Sequence, residues 1–265
     1  MPDRQVLVAV AHGSADPRAA ATITGLMAAV AERAAARGLH LPEVRTAYLG
    51  HAAPSLPQVL GAIGRARVTV LPLLLTAAYH SKTDIPRVLA RMSGEWPVSY
   101  GDTLGPHPLL LRALERRLAE ADPLGPAGLT DPACRARTGV VLAAAGSTDP
   151  AANATITSLA AQWQARAGWF AVRPASAAAG PVSAAGSAGL PAPADAVTGL
   201  LRAGAPRVLV ATYLLAPGLF ADRIRASALA AGAAAVSPAL GALPEVAEVL
   251  LDRYQEAATL GRRAA

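Results

Sequence analysis

Imidazole is missing from more than half of this chain. All five histidines, His12, His40, His51, His80 and His107, fall before residue 108 of 265. Cysteine is scarcer still: Cys134 stands alone, which excludes an intrachain disulfide and leaves no companion for a thiolate metal site. Lysine occurs once, at Lys82, so the net charge of +6 and the pI near 10.2 come from arginine. Aromatics make up 4% of the residues and never interleave with a basic run, so no nucleic acid is expected as a partner. An anionic small molecule suits scattered arginine better. Long apolar runs are also lacking. The one nearest the amino terminus, residues 6–11, is far short of the roughly 18 residues of a membrane span and has no signal-peptide character. A cytoplasmic protein without a membrane partner is the expectation. Neither a G-x-S-x-G elbow nor a G-x-G-x-x-G turn is present, which argues against a serine hydrolase and against a dinucleotide-binding domain, and no organic cofactor is expected.

What the chain does have is a repeat. Val8-Ala9-Val10-Ala11-His12-Gly13-Ser14-Ala15-Asp16-Pro17 is answered by Leu142-Ala143-Ala144-Ala145-Gly146-Ser147-Thr148-Asp149-Pro150, and Thr22-Ile23-Thr24 by Thr155-Ile156-Thr157. The apolar run at 68–75 is matched at 208–215, and Leu104-Gly105-Pro106-His107-Pro108 by Leu240-Gly241-Ala242-Leu243-Pro244. At His12, His80 and His107 the second copy has no histidine. A duplicated chain that keeps its imidazoles in one copy is expected to keep its chemistry there.

With 53% hydrophobic residues the chain can bury two cores. In the first half the pattern predicts strands at residues 5–11, 44–49, 68–75 and 98–100, alternating with helices at 17–37, 55–65, 84–92 and 108–121. The second half repeats the order, with strands at 139–144, 170–173, 207–215 and 235–237. Residues 174–193, mostly Ala, Gly, Ser and Pro, read as a flexible loop. The fold class is therefore α/β: two similar doubly wound domains, each a mostly parallel four-stranded sheet flanked by helices. The expected boundaries are 1–123 and 138–265, with a linker at about 124–137. A monomer whose halves pack as pseudo-twofold partners is expected.

In such sheets ligands bind beyond the carboxyl ends of the strands, and His12 and His80 follow the first and third strands. Two imidazoles at one edge can hold a late first-row divalent metal, take up protons near neutral pH, or do both. His51 follows the second strand and is a third candidate. His40 lies in a solvent turn and His107 at a helix start, and Cys134 has no assigned role. Gly13 and Ser14, at the turn into the first helix, could offer backbone N–H groups to an anion.

These residues carry a family resemblance. Ala11-His12-Gly13-Ser14 with Asp16-Pro17-Arg18, then Pro54-Ser55-Leu56, then Pro72-Leu73-Leu74-Leu75 through Tyr79-His80 to Asp84-Ile85-Pro86, resembles the sirohydrochlorin chelatases. These class II chelatases insert a divalent metal into a tetrapyrrole without ATP, and the chain is similar to their long two-domain form. The resemblance implies a lyase of sirohaem or cobalamin biosynthesis with sirohydrochlorin as partner. The metal would be substrate, Fe2+ or Co2+, with Ni2+ a further candidate. It also implies that His12 and His80 are the catalytic and metal-binding residues. The acidic residue that often follows the aromatic-Leu pair of the second strand is here Gly50, so His51 is expected to replace it as a ligand. The carboxylate-fringed substrate implies contacts from Gly13, Ser14, Arg18, Arg45, Tyr79, Ser81 and Lys82, with Arg87 and Arg91 nearby. The alternative is a non-catalytic metal- or tetrapyrrole-binding chaperone.

Overall fold

The computed structural model describes residues 4–92, 97–178 and 189–263. The elements follow in the order β1 (Gln5–Ala11), α1 (Pro17–Ala36), β2 (Glu43–Tyr48), α2 (Leu56–Gly61), β3 (Arg67–Pro72), a π-helical turn (His80–Asp84), α3 (Ile85–Met92), β4 (Val98–Tyr100) and α4 (Pro108–Ala121). Two short helices come next, α5 (Gly125–Thr130) and α6 (Pro132–Ala136). The second series is β5 (Thr138–Ala144), α7 (Pro150–Ala167), β6 (Ala171–Ser176), α8 (Pro193–Arg202), β7 (Arg207–Tyr213), α9 (Leu219–Ala230), β8 (Ala235–Val236) and α10 (Pro244–Arg263).

Both sheets are wholly parallel, in the orders β2-β1-β3-β4 and β6-β5-β7-β8. The central strand β1 explains its own position. Every residue from Val6 to Ala11 is buried and apolar, as a strand covered by helices on both faces requires. On one face Val6, Val8 and Val10 pack with Val68 and Val70 against Leu56, Leu60 and Ile85. Burying a side chain of that size contributes roughly 1.5–3 kcal/mol, so this layer rather than helix propensity holds α2 and α3 in place. The chain leaves β1 toward β2 on one side and returns to β3 on the other. This order reversal puts a topological switch point, where such sheets bind ligands, at the carboxyl ends of β1 and β3.

The chain divides into two compact units that do not follow the repeat boundaries. One comprises Met1–Leu110 and Gly241–Ala265, the other Leu111–Leu240. The expected domains 1–123 and 138–265 therefore differ from these units in their last helices. In the first unit α10 lies on α1, where Arg33 and Arg37 meet Glu248 at 2.8 and 2.7 Å, and Arg253 donates to the Thr103 carbonyl at 2.9 Å. In the second, α4 is anchored by Trp163 Nε1, which donates to Glu115 at 3.0 Å. Terminal amphipathic helices of two similar repeats are close to interchangeable in pattern, so sequence periodicity alone does not say which sheet each will cover.

The expected linker stretch is helical, since residues 125–130 and 132–136 form α5 and α6. Asp131 caps α6 by accepting from the Ala133 N–H, and Pro132 starts it with no N–H to lose. Buried Asp122 takes a bidentate pair from Arg207, and Arg135 stacks 4.7 Å over Trp169. Pro174, placed in the expected flexible loop, lies within β6; residues 179–188 of that loop lie outside the described residues. Among the described residues no helix is long and apolar enough to cross a membrane.

Candidate metal centre

Both copies enter their first helix by the same device. After β1, Gly13 turns at φ +88°, Ser14 Oγ accepts from the Asp16 N–H at 3.1 Å, and Asp16 caps α1 through the Arg18 N–H. After β5, Gly146 turns at φ +92°, Ser147 Oγ accepts from the Asp149 N–H at 3.0 Å, and Asp149 caps α7 through the Ala151 N–H. A feature kept in the copy without histidines serves the turn rather than the chemistry. Ser14 is thereby accounted for as a turn residue. Gly13 has a steric duty too: a Cβ there would overlap the carbonyl oxygen of Gly50, whose N–H bonds the His12 carbonyl at 3.1 Å.

What differs between the copies is the imidazole pair. His12 follows β1 directly and His80 opens the π-helical turn after β3. Their Nε2 atoms are 3.2 Å apart, with ring centroids at 4.7 Å and planes at 84°. His12 Nδ1 lies 3.1 Å from the Gly13 carbonyl and His80 Nδ1 lies 2.6 Å from Asp84 Oδ2. A carbonyl and a carboxylate accept, so each Nδ1 faces a partner for its hydrogen; with hydrogen there alone, each ring would turn an Nε2 lone pair toward the other. Two lone pairs at this distance repel unless a cation lies between them. A metal about 2.1 Å from both nitrogens would see them at roughly 100°, between the angles of cis-octahedral and tetrahedral ligands. Asp84 was not legible as a partner, because its sequence signal was that of a helix start; its i,i+4 spacing from His80 was the clue.

The other expected residues separate. His51 is exposed in the turn after β2 at φ +58°, and among the described residues no group of three or more His, Cys, Asp and Glu side chains is placed to hold a metal ion. The structure therefore does not gather His51 with His12 and His80 into one ligand set. Arg18 is drawn onto its own cap, with Nη2 2.6 Å from Asp16. That hydrogen bond, with the Arg18 N–H, holds the Asp16 carboxyl below its ordinary range. Arg45 is not at the strand end: it is in register with Val8, three residues before the end of β2, and pairs with Glu43 at 2.6 Å. Ser81 is buried, its hydroxyl donating to the Ala78 carbonyl at 3.0 Å and accepting from the Ala78 N–H at 3.1 Å. It braces the turn. Tyr79, 55% exposed, sets its ring 6.2 Å from His80, and Lys82, Arg87 and Arg91 are exposed along the same segment. His40 is exposed, and burial, with a smaller effect of Arg253, holds the His107 imidazole below its usual range.

The sequence matches the CbiX family over residues 6–121 and again over 139–257, which takes in both copies. The chain belongs to the CbiX family. The sirohydrochlorin ferrochelatase of Bacillus subtilis is 28% identical over 167 residues, which is 59% of this chain. The match spans 57% of that curated relative. The fold agrees with SirB from Bacillus subtilis, solved with Fe3+, at a TM-score of 0.70 and 23% identity over 96% of each chain. SirB from Bacillus subtilis subspecies spizizenii, solved in complex with cobalt, gives 0.69 and 23% over 97% of this chain and 96% of that one.

Proposed function

We propose that this CbiX-family chain inserts a divalent metal, Fe2+ or Co2+ with Ni2+ as a further candidate, into sirohydrochlorin without ATP. The reaction would serve sirohaem or cobalamin biosynthesis. The observation that carries the reading is the pair of imidazole Nε2 atoms 3.2 Å apart at the carboxyl edge of a parallel sheet. The names of the relatives supply the substrate class, since one is a sirohydrochlorin ferrochelatase and two solved structures hold Fe3+ and cobalt.

The chemistry balances on these two side chains. Insertion exchanges one M2+ for the two N–H protons of the free-base ring. As the ion leaves His12 and His80 for the ring nitrogens, two Nε2 lone pairs are vacated, which matches the number of protons to be taken up. Imidazole suits this transfer because thiolate would hold the ion too tightly. A two-histidine site also leaves most coordination positions open to water and then to the macrocycle. The turn around His12 would orient one edge of the ring, while Tyr79, Lys82, Arg87 and Arg91 would face its carboxylate fringe. Arg18, Arg45 and Ser81 are each engaged by a neighbour and are given no role in this reading.

The test is an anaerobic absorption assay with sirohydrochlorin in excess over protein and each of Fe(II), Co(II) and Ni(II). Many turnovers per protein molecule support the proposal. Product limited to one equivalent identifies a metal- or tetrapyrrole-binding chaperone instead.

A further inference from the structure

The segment carrying His80 is one residue longer than its counterpart. The β3 and β7 strands begin at Arg67 and Arg207, and just beyond them Leu74 and Leu214 accept equivalent bonds, from Leu104 N–H at 2.9 Å and from Leu240 N–H at 2.8 Å. Further on, Ile85 and Ile224 are each fully buried beneath their own sheet. From Leu74 to Ile85 the chain has one more residue than from Leu214 to Ile224. The second copy spans the shorter distance with the regular helix α9; the first absorbs the extra residue as a π-helical turn, closed by the Ile85 N–H on the His80 carbonyl. Such turns are rare and less favourable than α-helix, and they recur at functional sites.

The wide turn sets residues four apart over one another, and its ends are His80 and Asp84, joined at 2.6 Å. His80 has no counterpart in the second copy, where Leu219 and Phe220 begin the helix, and the carboxylate of that turn, Asp222, lies two residues before Ile224 where Asp84 lies one before Ile85. The turn is braced from below by the Ser81 hydroxyl on Ala78 and by Tyr100, whose phenol donates to the Ser81 carbonyl at 2.8 Å. The two imidazoles are thus held unequally. His12 Nδ1 faces a neutral carbonyl, and His80 Nδ1 a carboxylate, which would polarise an N–H bond there and push density toward Nε2.

We propose that Asp84 is the positioning residue of His80: it fixes the tautomer and ring orientation that aim Nε2 at the metal, and it makes His80 the stronger donor of the pair and His12 the one that lets go first. This rests on the reading of His12 and His80 as the metal pair. Asp84 touches neither metal nor ring in this account. Its effect passes through His80.

The test is anaerobic Co(II) titration followed by visible absorption, on the full chain and on Asp84→Ala, Asp84→Asn, Asp84→Glu, His80→Ala and His12→Ala, with thermal unfolding of each. Asp84→Ala is expected to bind Co(II) about 10- to 100-fold more weakly, the range typical of a lost carboxylate behind a ligating histidine. Asp84→Asn, which keeps an acceptor without the charge, falls between, and Asp84→Glu recovers part of the loss. Wild-type affinity in Asp84→Ala beside lost affinity in His80→Ala overturns the role of Asp84 and leaves the metal pair standing. Wild-type affinity in both histidine variants overturns the pair, and the role of Asp84 with it. If Asp84→Ala does not fold, histidine 15N NMR of the wild-type protein decides: His80 with hydrogen on Nδ1 supports the proposal, and on Nε2 refutes it.

Discussion

His12 and His80, 68 residues apart in sequence, meet Nε2 to Nε2 at 3.2 Å because β1 and β3 are hydrogen-bonded neighbours that end at the same edge. The order β2-β1-β3-β4 makes them neighbours, and the Gly13 turn and the π-helical turn aim the rings. The contact depends on both turns, so it is sensitive to changes that touch neither ring.

Gly13→Ala is the sharpest such change. The new Cβ would overlap the Gly50 carbonyl oxygen and the backbone would remain at a φ that L-residues avoid. Chemical denaturation should show a loss of about 1–3 kcal/mol, with weaker Co(II) binding as the loop splays. Gly25→Ala, inside α1 with its nearest neighbour at 3.6 Å, is the control and should gain about 0.5–1 kcal/mol. Equal stability of the two variants would contradict the steric role given to Gly13.

A second expectation concerns Gly50 and His51. His51→Ala should leave Co(II) affinity within a factor of about 3, while His51→Gly should raise stability by about 1 kcal/mol by relieving the left-handed backbone. A Cβ at Gly50 meets no atom within 4 Å, so Gly50→Glu should fold and add a carboxylate beside His12. The harder oxygen donor should raise the ratio of Fe(II) to Co(II) insertion. An unchanged ratio would show that this position does not reach the metal.

Much of this was legible beforehand. The buried run of β1, the Asp-Pro helix starts of α1 and α7, and the missing histidines of the second copy all follow from local pattern. The exchange of α4 and α10 between units was not, because both helices carry the same amphipathic pattern and packing alone assigns them. The charge and position of Arg18 and Arg45 point to substrate contacts, while their pairing with Asp16 and Glu43, two residues away in each case, shows only in the structure. The π-helical turn is a matter of one residue in length, which shows only when the two copies are laid side by side.

The Asp122–Arg207 pair should be the most costly charge pair to break. Asp122 is fully buried and receives both Nη atoms at 2.9 and 3.0 Å. Asp122→Ala leaves a guanidinium without its partner and should destabilise the second unit by about 3–5 kcal/mol. Glu43→Ala, which removes the exposed partner of Arg4 and Arg45, should cost no more than about 1 kcal/mol per pair. Urea midpoints of the two variants check the contrast.

Tyr100 ties the π-helical turn to alkaline stability. Burial, aided by the Asp102 charge, pushes its phenol up to about 12 from an ordinary value of 10. The folded state thus favours the neutral phenol, and the stability it contributes is complete below about pH 10 and lost as pH rises toward about 12. Urea midpoints should fall over that window in the wild type and less steeply in Tyr100→Phe. Parallel decline in both would remove Tyr100 from the account.

The most direct measurement is single-turnover metal insertion into sirohydrochlorin, under anaerobic conditions, by wild type, His12→Ala and His80→Ala, each first shown by circular dichroism to be folded. The account predicts that each variant loses at least about 100-fold in rate, because each removes both a metal donor and a proton acceptor. Wild-type rates in either folded variant would contradict it.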